Sequence, residues 1–358
     1  MPPAYVSRPC IALPPHQVTT DEICEDIQRA HPTLPRLGVM LRYARRTQVA
    51  TRWFTRPLAD PAISGGAPIA ERNEIAFADA AELAVRAARQ SLEAAALAAS
   101  EVDCVVTSHT TSWTVPGLDV HLIEELGLRP DVRRIPLSTL GCAGGAQALA
   151  KAADHVAAYP GSTVLVVVAE MLSTVYSHQD TSAQSMIYKT LFGDSGGACL
   201  VTSRPLGPGL RIDSTWEYVL PGSRQRYSGR LDAGGLHFDS EKSATEAVND
   251  IMPALRRHLE QQALDEIGFT VLHPGGPRII EDAERGLGLD QTPGLEDKAK
   301  VTRHTWAAMR EDGNLGGVGV LTVLARTHED PPTDGTRGLL LGVGPGFAAA
   351  GATATWQA

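Results

Sequence analysis

The chain has 358 residues, of which 43% are hydrophobic and 20% are charged, a composition typical of a globular protein large enough for two average domains. Its formal net charge of −9 argues against a general nucleic-acid binder. No apolar run approaches the about 18 residues that a membrane span needs. We therefore expect neither nucleic acid nor a membrane as a partner.

The cysteines favour a reducing compartment. They are five in number, widely spread and without a CxxC pair, which is typical of free thiols and not of a disulfide framework or a zinc site: Cys10, Cys24, Cys104, Cys142 and Cys199. The opening residues MPPAYVSRPC lack the charged-then-apolar pattern of a signal peptide. The sequence thus predicts a cytoplasmic protein without a metal ion.

Helices and apolar strands alternate through the first half of the chain. Alanine and leucine recur three and four residues apart over 76–97 and predict a helix, which a short strand follows over 103–109. A second helix is expected to open just after Cys142. Residues 162–170 then contain the apolar run 164–169, which indicates a strand buried on both faces.

The second half repeats this order. The spacing predicts a helix over 244–262 despite its internal proline, and a strand over 269–276 that ends in a glycine turn. Another helix is expected over 313–326, and a final buried strand over 337–346. The correspondence is one of element order, because no literal sequence repeat is present.

Such alternation predicts an α/β fold with a mostly parallel sheet in each half. The Pro/Gly-rich stretch 201–209 separates the halves, which we place at 1–204 and 205–358. A ligand site between two duplicated halves is a plausible consequence.

Cys142 stands between glycines in LGCAGG (140–145), at the expected start of a helix. Unpaired N–H groups and the helix dipole favour an anion there, so a thiol at this position should ionise more readily. Such a cysteine is a candidate nucleophile. The alternative is a small buried apolar residue, the usual fate of a free cysteine.

Two further polar residues occupy glycine-marked element ends. His273 closes a predicted strand and precedes PGGP, a rigid turn, and ligands in open α/β sheets bind at such strand ends. Asn314 lies in DGNLGG, where it could equally be an N-cap or turn residue. Together with Cys142, they form a candidate Cys-His-Asn catalytic set.

This set resembles that of the type III polyketide synthases, the chalcone-synthase-like branch of the thiolase fold. The resemblance covers nearly the whole chain and rests on motifs in family order: HTTSWTVPG (109–117), LGCAGG, LFGDSGGA (191–198), HPGGPRI (273–279), GNLGG (313–317) and LLLGVGPG (339–346). It implies a thiolase-like fold of two pseudo-duplicated halves, with mixed, mostly parallel sheets and layers of helices.

The resemblance also implies an activity. Cys142 would carry an acyl group from an acyl-CoA starter as a thioester. His273 would pair with the thiolate, and His273 with Asn314 would stabilise the enolate formed as malonyl-CoA loses carbon dioxide. Repeated condensation and cyclisation would yield a pyrone, a resorcinol or another small aromatic product. Coenzyme A thioesters would be substrates, no cofactor would be needed, and the protein would be a homodimer.

Aromatic and basic residues complete the implied site. Phe192 and Phe238 match the two gatekeeper aromatics that separate the coenzyme A tunnel from the reaction cavity, although both could simply be core residues. Arg46 and Arg52 belong to an arginine-rich stretch where the family places its phosphate contacts. The alternative for that stretch is a solvated basic helix face.

Several positions that shape the family's cavity depart from the chalcone-forming pattern. Leu172 and Val175 replace threonines, and Gly316 replaces a serine. The complete set of implied pocket positions is Thr110, Thr111, Trp113, Leu172, Val175, Gly229 and Gly316. Apolar replacements argue against flavonoid formation and favour an aliphatic starter. The competing possibility is a small pocket, crowded by Trp113, that is primed by malonyl-CoA itself.

Three other functions fit part of the sequence. A ketoacyl-acyl-carrier-protein synthase III-like enzyme shares the fold and the catalytic set, but typically has an asparagine-containing turn in place of PGGP. A thiolase-fold partner subunit without activity is disfavoured because all three catalytic residues are present. A papain-like Cys/His/Asn hydrolase does not suit the pattern of buried parallel strands.

Overall fold

The computed structural model describes residues 2–289 and 295–358. In the first half the strands are β1 (Ala4–Val6), β2 (Cys10–Ala12), β3 (His16–Thr19), β4 (Thr51–Phe54), β5 (Cys104–His109), β6 (Arg133–Ser138), β7 (Thr163–Met171) and β8 (Asp194–Thr202). The helices of this half are α1 (Thr20–Ala30), α2 (Leu37–Arg45), α3 (Pro61–Ser64), α4 (Ile69–Ala94), α5 (Leu118–Leu126), α6 (Gly144–Ala158) and α7 (Ala183–Leu191).

The second half has a similar mixture of elements. Its strands are β9 (Gly209–Val219), β10 (Tyr227–Asp232), β11 (Gly235–Ser240), β12 (Phe269–Leu272), β13 (Arg337–Gly344) and β14 (Ala348–Gln357). Its helices are α8 (Ala247–Gln261), α9 (Pro277–Gly286), α10 (Leu295–Asp312) and α11 (Gly319–Glu329). The described residues include no helix that is both long and apolar enough to cross a membrane.

One ten-stranded sheet runs through both halves. Its order is β12-β13-β14-β9-β1-β8-β7-β5-β6, with β2 paired beside β8. Of its nine described pairings, only β5–β6, β5–β7 and β12–β13 are parallel. The α/β class is thus confirmed, whereas the expectation of a mostly parallel sheet in each half is wrong. Three residues join β13 to β14, and so short a connection permits only an antiparallel pair.

Strand β7 shows how the sheet is covered on both faces. Alternate side chains point to opposite sides of a strand, and here both sides are apolar. Val164, Val166 and Val168 join the central core with α6 and α11, while Leu165 and Val167 join a second core under α4. The predicted double burial of this strand is confirmed.

The innermost helices are α6 and α11. They share the central core with strands of both halves, whereas α4 covers the outer face of the first half and α8 covers that of the second. A 3-10 turn precedes each inner helix, Gly141–Ala143 before α6 and Gly316–Val318 before α11. The second turn explains why α11 begins six residues later than the sequence predicts.

Candidate active site

The two 3-10 turns bring Cys142 and Asn314 together. The Cys142 thiol donates to Oδ1 of Asn314 across 3.7 Å, and Nδ2 of Asn314 lies 3.8 Å from the sulfur. Glycines permit this approach, because a Cβ at Gly145 would overlap the carbonyl oxygen of Gly317. The paired glycines after Cys142 and after Asn314 therefore serve the contact between the halves.

The amide of Asn314 is held in one orientation. Its Oδ1 accepts from the N–H of Gly316 at 2.9 Å, and its Nδ2 donates to the carbonyl of Gly275 at 3.4 Å. The backbone N–H of Asn314 donates to Leu191 at 2.8 Å. These bonds leave Nδ2 facing the sulfur, where it is available as a hydrogen-bond donor.

His273 lies directly after β12 and lines the same cavity as Cys142 and Asn314. Its backbone N–H donates to Leu341 at 2.8 Å, which ties the residue to β13. The imidazole is 3% exposed, and within the described residues its Nδ1 has no hydrogen-bond partner. A buried polar atom without a partner is costly, and this one is packed against Gly319, where a Cβ would approach it to 3.1 Å.

Burial opposes charge on both reactive groups. It raises the pKa of Cys142 to about 12 and lowers the pKa of His273 to about 3. The helix start is expected to lower the pKa of this thiol, whereas burial is the larger influence and raises it. At neutral pH the pair is a thiol and a neutral imidazole, and a thiolate needs a proton acceptor beside it.

The three residues open into an apolar cavity of about 270 Å³. Five of the eleven other predicted site residues reach it as well. The predicted positions that line the cavity are Thr110, Cys142, Leu172, Phe192, Phe238, His273, Asn314 and Gly316. The Phe192 and Phe238 rings are 5.8 Å apart and nearly perpendicular, at 72°.

Four predicted pocket residues lie elsewhere. Thr111 is buried and accepts from the N–H of Met171 at 2.7 Å. Val175 packs beside Leu172 in the apolar cluster behind the cavity wall. Gly229 lies on β10 opposite Phe238. Trp113 is 72% exposed and does not line the cavity formed by the same chain, so the possibility that it crowds this cavity is wrong.

The two arginines predicted to contact phosphates lie in different surroundings, one buried and one exposed. Arg52 is fully buried, where Nη1 donates to Val18 at 3.1 Å and Nη2 donates to the hydroxyl of Thr20 at 2.6 Å and to the carbonyl of Thr190. The expectation that Arg52 binds coenzyme A is wrong, because its guanidinium ties β3, β4 and α7 together. Arg46 is exposed and stands next to a cavity residue, Thr47.

Glu170 belongs to the cavity wall, and the sequence analysis did not single it out. Its Oε2 accepts from the N–H of Thr110 at 3.2 Å, while Oε1 is buried without a partner in the described part of the chain. Burial raises the pKa of Glu170 to about 8, so the carboxyl is mostly protonated at neutral pH and can donate a hydrogen bond. The available signal was a glutamate at the end of an otherwise apolar strand.

Replacing Glu170 by glutamine should alter the pH dependence of stability. A carboxyl whose pKa is higher in the folded protein stabilises it below the unfolded pKa and loses that contribution as pH rises to the folded value. Between about pH 5 and about pH 8, the free energy of unfolding of the wild type should therefore fall relative to Glu170→Gln, by up to about 4 kcal/mol. Urea titrations at several pH values measure this difference. A constant difference would contradict the buried neutral carboxyl, and Glu124→Gln, at an exposed position, controls for removing one carboxylate.

Comparison with known proteins extends over nearly the whole chain. Residues 17–205 match the family model for chalcone and stilbene synthases, N-terminal domain, and residues 211–353 match the model for the C-terminal domain. The 1,3,6,8-tetrahydroxynaphthalene synthase of Streptomyces coelicolor is 30% identical over 357 residues, which are 99% of this chain and 92% of that protein. A phloroglucinol synthase of Pseudomonas fluorescens is 28% identical and covers 98% of each chain.

Solved structures agree with this match. The crystal structure of the Streptomyces coelicolor tetrahydroxynaphthalene synthase superimposes with a TM-score of 0.91 over 99% of both chains. Germicidin synthase from the same organism, a type III polyketide synthase, gives 0.91 over 99% of this chain and 100% of that one, again at 30% identity. The chain therefore belongs to the chalcone and stilbene synthase family, and it is a type III polyketide synthase, an acyltransferase.

Proposed function

We propose that this enzyme joins an acyl-CoA starter to malonyl-CoA by repeated decarboxylative condensation and then cyclises the product. One observation carries the proposal, namely that Cys142, His273 and Asn314 line a single apolar cavity although they are far apart in sequence. The thioesters of coenzyme A serve as substrates, and the residues require no resident cofactor. The reaction takes place in the cytoplasm.

Loading begins with a proton transfer. His273 accepts the proton of the Cys142 thiol. The resulting thiolate and imidazolium are both buried, and their mutual attraction stabilises each of them. The sulfur attacks the thioester carbonyl of the starter, coenzyme A leaves as its thiolate and takes a proton from the solvent, and the thiol proton stays on His273. The acyl group is then bound to Cys142 as a new thioester.

In the extension step, His273 and Asn314 act on the thioester carbonyl of malonyl-CoA. The protonated nitrogen of His273 that faces the cavity and Nδ2 of Asn314 donate to the thioester oxygen of malonyl-CoA. As carbon dioxide leaves, its bonding electrons form an enolate whose negative oxygen these donors stabilise. The enolate carbon attacks the acyl carbonyl on Cys142, the sulfur departs, and the chain is two carbons longer.

The remaining cavity positions have proposed roles around this centre. Phe192 and Phe238 form the gate between the entry path and the cavity, and their contact supports this assignment. Arg46 contacts the phosphates of coenzyme A, because it is exposed beside Thr47 on the cavity wall. Thr110, Leu172 and Gly316 shape the space for the growing chain.

We further propose that the halves 1–204 and 205–358 each contribute one side of the site and that the enzyme is a homodimer. Cys142 comes from the first half, and His273 and Asn314 come from the second. Trp113 and Val115 are 72% and 78% exposed on one loop, and a second copy would remove these apolar side chains from water. Sedimentation of the purified protein tests the dimer.

The product is proposed to be a pyrone, a resorcinol or another small aromatic compound. The cavity of about 270 Å³ is slightly smaller than the volumes usual for ligand pockets, about 300 to 1,000 Å³. The similar proteins include a tetrahydroxynaphthalene synthase, a phloroglucinol synthase and a germicidin synthase. These relatives support an aromatic or pyrone product.

Starter choice provides the test of this proposal. We expect hexanoyl- or octanoyl-CoA to be extended in preference to coumaroyl-CoA, because each buried methylene contributes about 0.8 kcal/mol in an apolar cavity that can accommodate it. Mass spectrometry of products formed from malonyl-CoA with and without each starter measures the preference. A rate that does not respond to any starter would show that malonyl-CoA primes the enzyme. Absence of any extended product would reject the proposed function.

A further inference from the structure

A hairpin outside the main sheet carries one side of the proposed gate. Strands β10 and β11 pair with each other and form a separate two-stranded sheet. Phe238 lies on β11, and Ser240 follows two residues later on the same face of the strand. Both residues line the cavity, as does Tyr227, which pairs with Ser240 across the hairpin. The position of Phe238 therefore depends on what holds this hairpin.

Helix α7 carries the other side of the gate. Gln184, Tyr188 and Phe192 follow at four-residue spacing, and all three line the cavity, as expected for one face of a helix. The Tyr188 ring stacks on Phe192 at 5.0 Å with the planes 1° apart, and it meets Phe238 edge-on at 6.5 Å. The aromatic cluster at the gate thus has three rings, of which the sequence analysis identified two.

A polar contact joins α7 to the hairpin beside these rings. Nε2 of Gln184 donates to the backbone carbonyl of Ser240 and approaches the Ser240 hydroxyl at 3.3 Å. Other links hold the hairpin farther from the cavity: His237 bonds to Asp180 at 3.2 Å, and Arg72 donates to Gly234 at 2.9 Å. The Gln184 contact lies at the cavity wall, one turn of helix before Tyr188, whose side chain also hydrogen-bonds to that of Ser240.

We propose that Gln184 is a positioning residue for the gate: by holding Ser240 it sets the separation of Phe238 from Tyr188 and Phe192, and so keeps water from the acyl intermediates on Cys142. This inference rests on the proposed function. An enclosed cavity protects a reactive thioester from hydrolysis. Loosening the contact should let shorter intermediates leave before the chain is complete, without touching the reacting atoms.

The test compares two variants of Gln184 with a matched glutamine. Gln184→Ala removes both hydrogen bonds, and Gln184→Glu places an acceptor against the Ser240 carbonyl. Gln179→Ala is the control, because the Gln179 amide also donates to a backbone carbonyl, that of Gly65 at 2.9 Å, and does not line the cavity. The two readouts are amide hydrogen exchange over residues 227–240 and the ratio of early-released to full-length products.

We expect both Gln184 variants to raise the hairpin exchange rate and the early-release ratio by about two- to tenfold, the range that corresponds to one net hydrogen bond. Gln179→Ala should match the wild type in both readouts and in acylation of Cys142. If Gln184→Ala does not fold, Ser240→Ala removes the hydroxyl contacts with Gln184 and Tyr188, keeps the bond to the Ser240 carbonyl, and should shift both readouts in the same direction.

An unchanged product ratio in folded Gln184 variants would overturn the proposal, as would an equal change in Gln179→Ala. Unchanged hairpin exchange would also overturn it, because the contact would then not hold the hairpin. A wild type that forms no extended product would count against the proposed function instead, and hydrogen exchange would still decide whether Gln184 holds Ser240.

Discussion

Cys142→Ala is expected to abolish polyketide formation, by at least about a thousandfold, because no other group in the site can carry the acyl chain as a thioester. The fold should persist, since alanine removes only the sulfur atom, which lines the cavity. Intact-protein mass spectrometry of the wild type with a starter should show one acyl group, and peptide mapping should locate it on Cys142.

Cys10→Ala is the matched control for this experiment. Among the five cysteines, Cys10 and Cys142 are the two that are partly exposed, whereas Cys24, Cys104 and Cys199 are buried. The Cys10 variant should retain the acylation and turnover of the wild type. Acyl groups on Cys104 or Cys199, with Cys142 unmodified, would contradict the assignment of the nucleophile.

The second large effect concerns the two hydrogen-bond donors. Asn314→Ala should reduce malonyl-CoA decarboxylation by roughly 100- to 1,000-fold, the usual consequence of removing one oxyanion donor, while acylation of Cys142 should be affected less. His273→Ala should slow both steps, because His273 also accepts the thiol proton. Release of carbon dioxide and single-turnover acylation, measured separately, distinguish the two steps.

His273→Gln sharpens the distinction between these roles. Glutamine can donate a hydrogen bond but cannot accept a proton as imidazole does, so decarboxylation should recover more than acylation relative to His273→Ala. Asn249→Ala, on the partly exposed side of α8, controls for loss of an amide elsewhere. Small and equal losses in all His273 and Asn314 variants would show that neither side chain contacts the reacting carbonyl.

Local sequence patterns predict the inner elements of this fold well. Strand β7 and helix α6 lie within two residues of their expected starts, because an uninterrupted apolar run and a glycine-marked helix start are local signals. The pairing partners of a strand are not local. Strands β8, β9 and β14 take part in six of the nine described pairings, all of them antiparallel. No feature of their own residues distinguishes them from parallel strands.

Side-chain direction limited the prediction of the site in the same way. Cys142, His273 and Asn314 stand at glycine-marked turns, so their meeting could be anticipated from motifs. Arg52 belongs to an arginine-rich stretch, but only the packing of β4 against α7 shows that its charge is turned inward. The opposite holds for Trp113, a bulky residue near the site whose ring is turned to the exterior.

The approach of Gly145 to Gly317 constrains how this enzyme can evolve. The spacing of nucleophile and amide depends on a contact between two main chains, where a Cβ at Gly145 would overlap the Gly317 carbonyl. No compensating side-chain change can restore room at such a contact. Side chains of the cavity walls, such as Leu172, can therefore change one at a time, while the junction beneath the catalytic residues admits no gradual intermediates. Differences in product are therefore expected to come from side chains of the cavity walls. A substitution at the contact between Gly145 and Gly317 would abolish the reaction and would not change its product.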